Sequence, residues 1–158
     1  MIARRAALKA VLAAPLVALA ARADARDYTS AGEVLGEIER LESDLDVRLA
    51  GLAASFPAAG SFAASVRADH EKHRRNRAAL RRRLRLADAA PISGPGPSGR
   101  ASVDGLRALA QDLVYVYAEG LPAIKDAQAV DILARHMVDD ARHLAVLQMW
   151  METEQPGG

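Results

Sequence analysis

His136, Asp140 and His143 stand about one helical turn apart near the end of the chain, in His136-Met-Val-Asp-Asp140-Ala-Arg-His143. At helical spacing they share a stripe with Ile132 and Leu147, and such a stripe faces a core. Buried imidazole and carboxylate must be paired, and the pairing that suits them is either a hydrogen-bond network or a metal ion. His70 and His73 form a second pair at three-residue spacing, and Glu39 and Glu42 a third. Residues three apart are neighbours on a helix face, so each pair can converge on one ion. The chain has no cysteine. That excludes disulfides, thiolate metal sites and thiol nucleophiles, and leaves oxygen and imidazole as the only ligands.

The elements that carry these pairs read as helices. Apolar residues make up 51% of the 158, much of it Ala and Leu, with aromatics only 4%. This composition favours an all-α fold of one domain. Ser30-Ala-Gly-Glu33 is a capping box opening a first helix over about 30–55, and Phe56-Pro57-Ala-Ala-Gly60 is a short break. A second helix over about 61–87 then pairs with the first as a hairpin. Its inner stripe is Phe62, Val66, His70, His73, Leu80 and Leu84. Its other face is basic, with Arg67, Lys72, Arg74, Arg75, Arg77, Arg81, Arg82, Arg83 and Arg85. The Pro- and Gly-rich stretch 89–100 is one long connection. About a dozen extended residues reach the ~36 Å of a 24-residue helix, which allows a third helix to run parallel to the second. That third helix covers about 102–124, with Gly120 and Pro122 kinking or ending it. A fourth covers about 127–152.

Ahead of the bundle, residues 1–23 read as a signal peptide. Arg4 and Arg5 lead a basic start, an apolar run follows from Ala10 to Ala21, and Ala21-Arg22-Ala23 offers a cleavage site, with Ala18-Leu19-Ala20 as a competing one. The pattern Arg4-Arg5-x-x-Leu8-Lys9 resembles a twin-arginine export signal, which implies export of a folded, already loaded protein. A periplasmic or extracellular address follows, or an N-terminal membrane anchor if the segment is retained. Cleavage removes four of the 21 bases and none of the 20 acids, turning a net +1 into about −3.

Four helices with a long crossover between the second and third, Glu39 inside Ile38-Glu39-Arg-Leu-Glu42, His73, and Asp140-Ala-Arg-His143 resemble the ferritin-like domain of exported bacterial proteins. The resemblance covers roughly residues 30–152. It implies a di-iron or di-manganese centre held by a Glu from each of two helices and a Glu-x-x-His from each of the others. Carried over, Glu39 is the helix-one carboxylate, His73 the helix-two histidine, and Asp140 with His143 the helix-four pair. His70 stands where the pattern has a carboxylate. Helix three has no match to the pattern: the aligned position is Ala110, with Asp112 and Glu119 off its stripe. Missing bridges imply a single ion on Glu39, His73, Asp140 and His143, with Glu42, His70, His136 and Glu119 supporting or replacing them.

The metal is iron or manganese first, with zinc or copper also open. An oxidase or peroxidase at iron would need an open coordination position, with Tyr115 and Tyr117 as nearby redox side chains. The segment Asp69-His70-Glu71-Lys72-His73 is also similar to hemerythrin-like bundles, which need more than the four histidines present. A metal-free reading stays open beside these, in which the histidines fix the register of the bundle. In that reading Arg74, Arg75, Arg81 and Arg82 could dock an anionic partner. Nucleic acid is not an expected partner of an exported chain, and alanine-rich helix faces leave a homo-oligomer open.

Overall fold

The capping box opens the first helix as its sequence dictates. In the computed structural model, which describes residues 26–88 and 102–154, the Ser30 side chain accepts from the Glu33 N–H at 3.3 Å, and the Glu33 carboxylate accepts from the Ser30 N–H at 3.1 Å. Helix α1 then runs Ala31–Ser55 and buries Val34, Leu35, Ile38, Leu41, Leu45 and Leu49. Pro57–Ala59 forms a single 3-10 turn, and α2 follows over Gly60–Arg83. Ser102 caps α3, Val103–Gly120, by accepting from the Gly105 N–H at 3.1 Å. A second 3-10 turn, Leu121–Ala123, leads to α4, Ala127–Glu154, where the Asp126 side chain accepts from the Ala129 N–H at 2.9 Å. The expected signal peptide 1–23, the Pro- and Gly-rich connection 89–100 and the tail 155–158 lie outside the described residues. No described helix is long and apolar enough to cross a membrane.

Three cross-helix contacts fix the directions of the helices. Gly120, at the end of α3, lies against Val34 at the start of α1, and Gly105 lies near Arg48, so α1 and α3 are antiparallel. The short break makes α1 and α2 antiparallel too, so α2 and α3 run parallel, as the long connection allows. Arg83 at the end of α2 bonds Asp126 just before α4, which sets α2 and α4 antiparallel. Packing joins α1 to α2 and α3, and α4 to α2 and α3. This is an all-α bundle of four helices, with α2 and α3 on its diagonal.

Two boundaries differ from the sequence reading. Helix α2 stops at Arg83 rather than near Ala87, although Ala-Asp-Ala could extend it. The Leu86 N–H returns to the Arg81 carbonyl at 2.9 Å and the Arg85 N–H to Arg82 at 3.2 Å, with Arg85 left-handed at φ 55°. That is a Schellman ending built without glycine. Helix α3 ends at Gly120, and the residues to Ile124 make the 3-10 turn that Pro122 permits.

The core is unevenly apolar. Helix α2 contributes only Val66 and Leu80 as buried hydrophobic residues, while His70, His73, Arg77 and Arg81 fill the rest of its inner stripe. Polar groups there must find partners on the helices they face.

A candidate metal centre on the seam between α2 and α4

The partners lie in order along the α2–α4 seam. Asp69 meets His143 at 3.1 Å, His70 meets Asp140 at 3.2 Å, His73 meets Asp139 at 3.5 Å, and Asn76 meets His136 at 3.1 Å. As α2 advances α4 retreats, so the antiparallel pair forms a ladder of polar rungs. In the rung that carries His136, the Asn76 amide donates to Nε2.

The upper two rungs gather three potential ligands. His70 donates from Nδ1 to Asp46 of α1 at 2.7 Å and points Nε2 at Asp140 Oδ1. His143 is held from the other side, with Nε2 on Asp69 and Nδ1 facing the same Asp140 oxygen at 3.3 Å without completing a hydrogen bond. Each imidazole is thus oriented by an outer carboxylate while its second nitrogen turns inward, the arrangement that supports metal-bound histidine. His70, Asp140 and His143 are all buried, and one ligand atom from each falls within 4.8 Å of the others. Phe62 closes the side of His143 with an edge-to-face contact, ring centroids 6.1 Å apart.

A second group adjoins the first through the same aspartate. Glu42, His73 and Asp140 also offer atoms within 4.8 Å of one another. Here, however, the carboxylate is already engaged. Arg77 grips Glu42 with two hydrogen bonds, 2.7 Å to Oε1 and 2.5 Å to Oε2, and Oε1 also receives His73 Nδ1 at 3.0 Å and the Tyr117 hydroxyl at 3.4 Å.

Electrostatics follow from these partners. Burial opposes a charge on His70, but Asp140 and Asp46 outweigh it and push the imidazole up to about 10. Burial likewise works against the Asp140 carboxylate, yet contact with His143 and His70 holds it well below the usual carboxylate range. Glu42 is also held down, His73 and Arg77 overcoming its burial. His136 goes the other way. Burial, reinforced by the nearby His73 and Arg77, pushes it down to about 3, while its ring stacks on His73 with centroids 3.9 Å apart.

The expected ligands are therefore divided among several places. Asp140 and His143 come together with His70 rather than with Glu39. Glu39 is taken by Arg81, at 3.1 and 2.8 Å, outside both groups. His73 and Glu42 lie in the second group, and His136 lies beyond His73 on the ladder. Glu119, Asp112 and Tyr115 line a separate small pocket with Arg26, Tyr28 and Arg40, between α1 and α3. Ala110 is buried and brings no carboxylate. Arg81 is buried against Glu39 rather than on the exposed basic face, where Arg74 and Arg75 pair with Glu71.

Sequence reasoning missed Arg77, Asp46 and Asp69. Arg77 was legible in principle: Val66, His70, His73, Arg77 and Leu80 keep one helical period, and only its charge assigns it to the outer face. Asp46 stands one turn beyond Glu42 on α1, and Asp69 adjoins His70. No family model, curated protein or solved structure matches the chain.

Proposed function

We propose that this chain is an exported, ferritin-like helical bundle that binds one divalent transition-metal ion at His70, Asp140 and His143. The observation that carries the reading is the pair of buried imidazoles, each anchored outward on a carboxylate and each facing one oxygen of a buried aspartate. The fit is tested by what is left over. His143 Nδ1 and Asp140 Oδ2 are buried without a hydrogen-bond partner among the described residues, as His136 Nδ1 is further along the seam, and such a state is costly. An ion beside them would satisfy the nitrogen and balance the carboxylate. Two imidazoles and one carboxylate are the donor set of mononuclear iron(II) sites, and they also suit manganese and zinc. Such an ion would supply Lewis acidity or, as iron, redox chemistry; no reaction is assigned. The paired arginines at positions 4 and 5 support export in the folded state, which would carry a loaded centre to the periplasm.

Elemental analysis of the tag-free protein, purified without chelator, tests the reading. The expected result is one equivalent of metal in the wild type, lost in His143→Ala and in His70→Ala with helicity retained. A wild type free of metal after growth with ample iron, manganese and zinc would sink it. In that outcome the second reading stands: the ladder is a register device, and a protonated His70 between Asp46 and Asp140 supplies the cation. The 2.7 Å contact to Asp46 favours that alternative.

A further inference from the structure

We infer that Arg77 is a resident cation in the place of a second metal ion, so that the centre holds one ion where the ferritin-like pattern holds two. The inference rests on the metal reading above. Glu42, His73 and Asp140 are grouped closely enough to hold an ion, and Asp140 could bridge them to His70 and His143. Arg77 closes that position. The residue is 1% exposed, and its guanidinium covers both oxygens of Glu42. With His73 and Tyr117 on Oε1 as well, no direction remains on that oxygen for a cation.

The substitution is thorough on the side of α1. Arg77 and Arg81, four apart on α2, face Glu42 and Glu39, three apart on α1, and each arginine takes its glutamate with two hydrogen bonds. Both helix-one glutamates named as candidate ligands, Glu39 and Glu42, are thereby neutralised. A guanidinium does not lose its proton at any accessible pH, so this cation cannot withdraw in favour of a metal as a protonated histidine could. One buried carboxylate of the seam, Asp140, is left for an ion. The residues fit one metal and not two.

Cobalt(II) titration of the metal-free full-length protein, followed by absorbance and checked by elemental analysis, tests this. Wild type is expected to saturate at one equivalent. Arg77→Gln frees Glu42 and is expected to saturate at two, the second being lost again in Arg77→Gln/His73→Ala. Arg77→Lys keeps the charge and stays at one. Two equivalents in wild type overturn the inference while leaving metal binding intact, and so does a folded Arg77→Gln that stops at one. If Arg77→Gln fails to fold, the wild-type and Arg77→Lys stoichiometries decide: one in both supports the inference, and two in either overturns it. No cobalt bound by wild type overturns the metal reading and this inference with it.

Discussion

His70 and His136 are both buried imidazoles on the same seam, yet their neighbours drive them in opposite directions. His70 lies between two carboxylates and keeps its proton up to about 10. Below its unfolded pKa near 6.5 that contribution to stability is fully present, and it is lost as pH rises toward 10. His136, pushed down to about 3, is neutral when folded, so the unfolded chain binds the extra proton between 3 and 6.5. Its contribution is present above 6.5 and lost as pH falls, joined below the ordinary carboxylate range by Glu42 and Asp140. Urea unfolding of the metal-free protein from pH 4 to 10 should therefore give a dome with its maximum near neutrality. His136→Gln should flatten the acid limb and leave the alkaline one. An alkaline limb unchanged in His70→Asn would contradict the assignment of His70.

At the scale of the element, the helix ends carry testable strain. A Cβ added to Gly120 would sit 2.7 Å from Val34 Cγ1, so the close crossing of α3 on α1 requires glycine there. Gly120→Ala should destabilise the protein by about 1 to 3 kcal/mol, read from urea unfolding, because the two helices must move apart. Arg85 is the opposite case. It holds a left-handed conformation that costs an L residue about 1 kcal/mol, at an exposed position. Arg85→Gly should raise stability by roughly 0.5 to 1 kcal/mol. Where α2 ends was not legible for the same reason, since the stop is made by backbone hydrogen bonds and Arg81 holding the Ala87 carbonyl at 3.0 Å, with no glycine or proline to mark it. The helices themselves were legible because Leu, Val and Ile recur at helical spacing and Ser30 and Glu33 mark a start.

At the scale of the whole molecule, the candidate centre draws on α2 and α4, with Asp46 of α1 behind it. The histidines and Asp140 were visible in the sequence as inward polar residues. Their grouping was not, because it depends on which rung faces which and on arginines reaching across from the stripe itself. Arg77 and Arg81 belong to the core by position and to the surface by charge, and burial beside Glu42 and Glu39 resolves that conflict only in three dimensions. If the ion binds as proposed, metal at 100 times its Kd should stabilise the fold by about 2.7 kcal/mol and raise Tm by roughly 5–10 °C. Amide exchange should slow in α2 and α4 together. The crossover gives this a further meaning. Because α1 and α2 form one hairpin and α3 and α4 the other, His70 comes from the first half of the chain and Asp140 with His143 from the second. Neither hairpin holds a complete set of donors. Cut within the long connection, the two halves would become metal-dependent partners, their reassembly reporting the presence of the ion.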